Sequence, residues 1–96
     1  MIIAILWKFF FLENFPQFEI RNKYAYGIYW ELLFAYEYVK IKIGGDWGFG
    51  IELEIDSSKY DLWRYDRSVS AKTKTTEVNI MYQLNVLKRF LNEVGY

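Results

Sequence analysis

The regular alternation of apolar and polar residues is the clearest pattern in the chain, and it begins at Glu19. A period of two is typical of β-strands, whose side chains point alternately to the two faces of a sheet. After Tyr38 the apolar side chains move to the odd positions of residues 39–43, which indicates a β-bulge or a bend. Gly27 is a second candidate break. A short helix is the alternative for residues 29–37, because their composition suits one, but the alternation favours a strand.

Two turns are predicted further along. Residues 43–47 (Ile-Gly-Gly-Asp-Trp) place a Gly-Gly pair and an aspartate between two alternating runs, which is typical of a β-hairpin. The strand that follows has an apolar face of Trp47, Phe49, Ile51, Leu53 and Ile55 and a polar face of Gly48, Gly50, Glu52, Glu54 and Asp56. Asp56-Ser57-Ser58-Lys59 is the second turn.

Residues 60–67 are predicted to form a further strand after that turn. The period of two would place Asp61, Trp63, Tyr65 and Arg67 on one face and Leu62 and Arg64 on the other. Residues 68–76 are polar and have few large side chains, so they are predicted to be the longest loop.

The spacing of apolar residues changes to three and four between Glu77 and Val94, which predicts an amphipathic helix. Its apolar stripe consists of Ile80, Leu84, Leu87, Leu91 and Val94, widened by Met81 and Phe90. Its opposite face carries Asn79, Gln83, Arg89, Asn92 and Glu93. Thr75 or Thr76 is suited to cap its N-terminus and Gly95 to end it.

The first segment, Met1 to Leu12, is apolar except for Lys8. It is shorter than the ~20 residues that a membrane-spanning helix needs, and it lacks the basic start of a secretory signal. We therefore expect a core element, with a partner-facing segment or a signal remnant as alternatives. Short apolar runs do not separate strand from helix by periodicity, but the β-branched and aromatic residues favour a strand that ends before Pro16.

Together these elements predict an α+β fold: an antiparallel β-meander of about four to five strands, with one C-terminal amphipathic helix packed on the sheet. Residues 1–96 are expected to form a single domain, because the length suits one compact unit. The chain is 53% hydrophobic and 22% aromatic, which excludes a disordered protein.

The residue inventory removes most catalytic chemistry. With no Cys and no His, the chain has no disulfide, no thiol nucleophile, no imidazole base and no Cys/His metal site. Glu52 and Glu54 are two carboxylates on one strand face, as in a glycosidase, but nothing else in the sequence supports that chemistry. With Asp56 they could also be cation ligands, but alternate side chains of a strand lie too far apart to share one cation. An ordinary solvated face is the simpler interpretation. We expect no enzyme activity, no catalytic residue, no metal and no cofactor.

What remains is a recognition surface. Trp, Tyr and Arg dominate binding hot spots, and the 21 aromatic residues exceed what one sheet face and one helix cover. The predicted partner-binding residues are Trp63, Arg64, Tyr65, Asp66 and Arg67, with Glu52, Glu54 and Asp56 on an acidic sheet face that could mimic an anionic substrate. The alternative is that residues 60–67 simply place one aromatic face in the core.

The chain is neutral overall, with a net charge of −3 over residues 1–58 and +3 over residues 59–96. Zero net charge makes a nucleic-acid partner unlikely. We expect a small protein-binding module, of the inhibitor or immunity type, that occludes a larger target. The alternatives are a single-stranded nucleic-acid binder with an aromatic stacking sheet, an apolar-ligand-binding domain, or a homo-oligomer. We expect no membrane span and a cytoplasmic location. The eight Lys against four Arg fit an AT-rich microbial or viral genome.

Overall fold

The computed structural model describes residues 2–96, with side chains from Leu6 onward. Its helices are α1 (Ile2–Asn14), α2 (Leu62–Tyr65) and α3 (Glu77–Glu93), with a 3-10 helix at Arg67–Ala71. Its strands are β1 (Glu19–Tyr26), β2 (Tyr29–Tyr36), β3 (Val39–Gly45), β4 (Phe49–Ile55) and β5 (Ser58–Asp61). The strands lie in the order β1-β2-β3-β4-β5, each antiparallel to the next. The predicted α+β meander with a C-terminal helix is confirmed.

Both breaks predicted as a bulge or bend are hairpin turns. Gly27 has a φ of 59° in the turn between β1 and β2, and Glu37 has a φ of 52° in the turn between β2 and β3. A left-handed residue lets two strands reverse within two residues. The β-bulge of the sheet lies instead in β1, between Ile20 and Asn22. The two turns predicted at residues 43–47 and 56–59 are confirmed, with β4 lying between them.

One face of the sheet is apolar and buried. It carries Trp30, Leu32, Phe34, Val39, Ile41, Ile43, Phe49, Ile51 and Leu53. These side chains form one cluster with α1 and α3, so both helices pack on this face. Trp47 is the exception to the predicted apolar face of β4, because it lies in the turn before the strand and is 80% exposed.

The first segment forms the helix α1, so the strand predicted from its composition is wrong. Met1, the first residue of that prediction, lies outside the described residues. Its buried side chains Trp7, Phe10 and Phe11 recur at the spacing of one helix face. The ring of Phe11 stacks on that of Phe34 at 4.1 Å, and Trp7 meets Phe49 edge-on at 5.8 Å. A run of 13 residues is long for a strand but ordinary for a helix that covers a sheet.

The predicted stripe of α3 is buried from Ile80 to Leu91, and Thr76 is the N-cap that accepts a hydrogen bond from Asn79 N. Gly95 follows the helix with a φ of 95°, as a C-terminal glycine should. Gln83 was predicted to face away, but its side chain is buried and donates a hydrogen bond to the Lys72 carbonyl at 2.8 Å. That bond ties the loop before α3 to the helix. Val94, also part of the predicted stripe, is 44% exposed at the C-cap of the helix.

The strand predicted for residues 60–67 is wrong beyond Asp61. The chain turns into α2 so that Leu62 enters the core, and the 3-10 helix runs from Arg67, predicted as strand, into the predicted loop. The Asp61 carboxylate and the Arg64 guanidinium, three positions apart, form an ion pair of 3.6 Å that suits a helical turn. The two strand faces predicted for residues 61–67 therefore do not exist.

Within residues 2–96, each helix falls short of the length and apolar character that crossing a membrane would require.

Candidate functional site

Both large helices lie on the apolar face, which leaves the other face of the sheet uncovered. We call this the open face. On strands β2 to β5 its charged side chains are Glu31, Lys40, Lys42, Glu52, Glu54, Lys59 and Asp61. The alternation of β2 to β5 puts them there, since their neighbours in sequence fill the core.

Cross-strand ion pairs organise this charge. Lys42 Nζ lies 3.4 Å from a Glu52 carboxylate oxygen and 3.6 Å from one of Glu31, and Lys40 Nζ lies 3.7 Å from one of Glu54. The negative charge of Glu52 raises the pKa of Lys42 and outweighs the opposite effect of burial. The surface is therefore a lattice of alternating charge. The predicted acidic residues Glu52 and Glu54 thus lie among lysines.

A cleft of about 280 Å³ interrupts the lattice. Gly44 and Gly50 lie opposite each other in β3 and β4, so two neighbouring strands offer only backbone at its floor. We call it the glycine cleft; it is lined chiefly by Tyr29, Lys42, Gly44, Gly50, Glu52, Asp61 and Trp63. It lies at the end of the sheet where the β1–β2 turn and α2 meet the open face.

The two floor glycines differ in the space that a side chain would have. A Cβ on Gly44 would lie 2.9 Å from the Trp30 carbonyl oxygen, closer than packing allows. A Cβ on Gly50 would meet nothing within 4 Å, and Gly50 does not have a positive φ. Glycine inside a strand costs about 0.5–1 kcal/mol relative to alanine. Neither backbone conformation nor crowding therefore requires glycine at position 50.

Aromatic rings stand on both sides of the floor. The Tyr29 hydroxyl donates to a Glu31 carboxylate oxygen at 2.8 Å, which fixes the ring and raises the pKa of Tyr29. The Tyr24 ring meets that of Tyr29 at 6.1 Å. Across the floor, Trp63 is 45% exposed and the Arg64 guanidinium lies 5.1 Å from the centre of its ring. The cleft thus offers flat apolar walls and charged hydrogen-bonding groups.

Two of the predicted partner-binding residues make internal contacts instead. The Tyr65 ring packs edge-on against Phe90 of α3 at 5.0 Å. The Asp66 carboxylate accepts from Ser68 N at 3.0 Å and from Ser68 Oγ at 2.6 Å, and it forms an ion pair with Arg89 of α3. These contacts hold α2 and the 3-10 helix against α3. Ser68 also bonds to the Tyr82 hydroxyl.

The Ser68–Asp66 pair does not resemble an activated nucleophile. The hydrogen bonds from Ser68, followed by Arg89, lower the pKa of Asp66. A carboxylate with a lowered pKa is a poor general base at neutral pH. The side chain instead has the contacts of a helix cap.

We expect the Asp66→Asn variant to be less stable than the parent chain at neutral pH and to approach it in acid. A carboxylate whose pKa is lower in the folded than in the unfolded chain contributes stability above its unfolded pKa of about 4, and this is lost as the pH falls through the folded pKa. The melting temperatures of both chains between pH 7 and 2 measure this. A difference between them that does not change with pH would contradict the assignment.

The remaining predicted residues are dispersed. Glu52 and Trp63 both line the glycine cleft, and Arg64 lies beside Trp63. Glu54 lies further along the open face, Arg67 is exposed at the start of the 3-10 helix, and Asp56 is exposed in the turn at the opposite end of β4. The structure therefore gathers three of the eight at one place.

Trp47 is a further exposed aromatic residue at the same end of the sheet as the glycine cleft. Its side chain is 80% exposed, yet its carbonyl accepts hydrogen bonds from Thr75 N at 3.4 Å and from Thr75 Oγ1 at 3.2 Å. The neighbouring Phe49 N donates to the Thr73 carbonyl at 2.8 Å. The Trp47 ring is thus exposed, while hydrogen bonds with the loop before α3 fix its backbone.

The chain was compared with protein-family models, curated proteins and solved structures. Neither a protein-family model nor a curated protein or solved structure matches the chain. The geometry of the surface is thus the only basis for a functional proposal.

The sequence pattern alone did not identify Tyr24, Tyr29, Gly44 and Gly50 as parts of a site. All the glycines between residues 44 and 50 are typical of turns and bulges, and the tyrosines resemble core positions. A usable signal was present at Gly50, because it follows the parity of Glu52 and Glu54 and so belongs to the polar face of a strand.

Proposed function

We propose that this chain is a non-catalytic protein-binding module, of the inhibitor or immunity type, that occludes a larger target with its open face. The observation that carries the proposal is the glycine cleft, whose bare floor lies between Tyr29 and Trp63. Aromatic side chains around a recess, surrounded by charged groups, have the composition of a binding hot spot.

The charge pattern favours a protein partner over a nucleic acid. On strands β2 to β5 the open face carries three lysines and four carboxylates, and Lys40 and Lys42 are already paired with glutamates. A surface that binds single strands combines aromatic stacking with a basic groove. A lattice of both signs instead suits a partner surface of complementary charge, which gives specificity and register.

The test is recovery of a partner by the tagged chain from the lysate of its own organism, with and without nuclease, for the parent chain and two variants. We expect a stoichiometric protein partner that survives nuclease, with Trp63→Ala weakening its binding more than about fivefold because a half-exposed hot-spot tryptophan typically contributes over 1 kcal/mol. Tyr38→Ala is the matched control, since Tyr38 is 74% exposed in the turn at the other end of the sheet.

Three outcomes would contradict the proposal. Recovery that nuclease abolishes would favour the stacking platform. Equal partner binding by Trp63→Ala and Tyr38→Ala would place the interface elsewhere. A melting temperature that rises with protein concentration, together with an empty pull-down, would favour a homo-oligomer.

A further inference from the structure

The strand β5 forms one edge of the sheet, and its outer side has unpaired backbone groups. It follows β4 through the two-residue turn Asp56-Ser57, in which the two φ angles are 50° and 70°. The residues that flank such a turn share two hydrogen bonds, and bonded and non-bonded pairs alternate from there. The N–H and C=O of Lys59 and the N–H of Asp61 therefore point away from β4. Within residues 2–96, no backbone group of a loop or turn bonds to them.

The opposite edge strand, β1, is longer but less suited to pairing with a further strand. Its register shifts at a β-bulge between Ile20 and Asn22, and Arg21 and Lys23 are exposed beside the bulge. Bulges and charged side chains are the features by which proteins prevent an edge from pairing. The register of β5 with β4 is regular along the whole of the strand. The edge at which an added strand fits is therefore β5.

A recess lies on each side of β5, and Lys59, Tyr60 and Asp61 line both. The helical-side recess has a volume of about 320 Å³ and is also lined by Leu53, Leu62, Arg64, Tyr65 and Phe90. The open-face recess has a volume of about 340 Å³ and is also lined by Leu33, Lys40, Lys42, Glu52, Leu53 and Glu54. Successive side chains of a strand point to opposite faces. A strand added beside β5 would thus direct its side chains alternately toward the two recesses.

The helical-side recess suits a large apolar side chain. Tyr60 faces the helices, where its ring lies 6.2 Å from that of Phe90, and the Tyr65 ring lies 5.0 Å from Phe90 on α3. The charges of Asp61 and Arg64 offset each other, because their side chains form an ion pair of 3.6 Å. Three aromatic rings thus surround a recess at the edge of the sheet.

On the open-face side of β5, the charge left without a partner is positive. Glu54 lies opposite Lys59 in β4, but its carboxylate lies 3.7 Å from Lys40 Nζ. Glu52 is paired in the same way with Lys42, at 3.4 Å. Within residues 2–96, no carboxylate lies within ion-pair distance of Lys59 Nζ. A carboxylate on an added strand would extend this row of cross-strand pairs by one.

We propose that β5 pairs antiparallel with an extended peptide segment of a partner protein, in which a large apolar residue is directly followed by an acidic one. Antiparallel pairing is slightly more stable than parallel pairing. The acidic residue exchanges two main-chain hydrogen bonds with Lys59 and places its carboxylate beside the Lys59 ammonium group. The apolar residue lies opposite Tyr60 and enters the helical-side recess. This edge site does not depend on the glycine cleft.

The probe is the capped peptide Thr-Thr-Phe-Glu-Thr-Thr, titrated into the isotope-labelled full chain and followed by NMR. We expect saturable shifts at Lys59, Tyr60 and Asp61, and slower solvent exchange of the Lys59 amide proton. Replacing the phenylalanine of the peptide with serine should weaken binding more than about tenfold. Methylating the backbone nitrogen of its glutamate removes the hydrogen bond to the Lys59 carbonyl and should weaken binding at least about threefold.

A charge exchange tests the pairing at Lys59. Lys59→Glu should bind the peptide at least about threefold more weakly, and it should prefer the same peptide with lysine in place of glutamate. Lys23→Glu makes the same change at an exposed residue of the other edge strand and should retain binding. We expect Trp63→Ala, which alters the glycine cleft, to bind the peptide like the parent chain, so the two proposals can fail separately.

Four outcomes would overturn the proposal. Equal effects of Lys59→Glu and Lys23→Glu would place the peptide away from β5. Equal binding of the methylated and unmethylated peptides would exclude main-chain pairing. Loss of peptide binding in Trp63→Ala would assign the peptide to the glycine cleft. Shifts at Lys59 and Tyr60 that grow with protein concentration, and no shifts with peptide, would assign the edge to a second copy of the chain.

Discussion

Replacing Trp7 with alanine is expected to lower the free energy of unfolding by about 3–5 kcal/mol. The Trp7 side chain is fully buried and meets Phe49 edge-on at 5.8 Å, so its removal leaves a cavity between α1 and β4. A domain of this size typically has only ~5–15 kcal/mol of stability, so the loss is a large part of the total. Urea unfolding of the two chains, followed by far-UV circular dichroism, measures it.

Phe9→Ala is the control for that experiment, because Phe9 is on the same helix but 59% exposed. We expect it to change stability by no more than about 1 kcal/mol. The comparison decides between two interpretations of the first segment. If Trp7→Ala were as mild as Phe9→Ala, α1 would be a loosely attached, partner-facing segment and not part of the core.

The sheet and α3 were predictable because their buried residues follow the period of the element. Ile41 and Ile43 alternate with lysines, and Ile80, Leu84 and Leu87 recur at helical spacing, so each pattern specifies one buried face. In α1 every residue from 2 to 12 except Lys8 is apolar, and a run with a single polar position does not distinguish the helix period from the strand period.

The two early turns were missed for a physical reason. A two-residue turn joins inward residues at positions such as Tyr36 and Val39, so it changes parity just as a bulge does. At Gly27 the sequence does not show this change of parity. Tyr24 and Tyr26 of β1 are exposed aromatic residues, and they occupy the same even positions as the buried residues of β2. Exposed tyrosines in a strand are thus easily mistaken for core residues.

The candidate site was only partly predictable, because sheet pairing assembles it. Trp63 was predicted to be a binding residue from its own neighbourhood, and it does line the glycine cleft. Its companions Tyr29 and Gly50 come from β2 and β4, and only the strand register brings them to the same recess. The alternation in residues 60–67 also masked α2, since the inward Leu62 fits either a strand or a helical turn.

Gly50→Thr is expected to stabilise the chain and weaken its partner binding. Threonine favours an extended strand, and a Cβ at this position meets nothing within 4 Å, so we expect a gain of about 0.5–1 kcal/mol in the free energy of unfolding. The same side chain occupies the floor of the glycine cleft. Overpacking a close contact typically costs about 1–3 kcal/mol, which corresponds to about fivefold to 150-fold weaker binding.

Opposite changes in stability and binding separate a functional glycine from a structural one, since a side chain that merely disturbed the fold would lower both. Gly44→Thr should instead destabilise the chain, because its Cβ would lie 2.9 Å from the Trp30 carbonyl oxygen. Tyr38→Thr adds threonine in the turn at the other end of the sheet and should leave binding nearly unchanged. If Gly50→Thr bound the partner as well as the parent chain while Trp63→Ala did not, the partner would contact the aromatic wall without entering the cleft. A fall in the melting temperature of Gly50→Thr would mean that the strand itself requires glycine at this position.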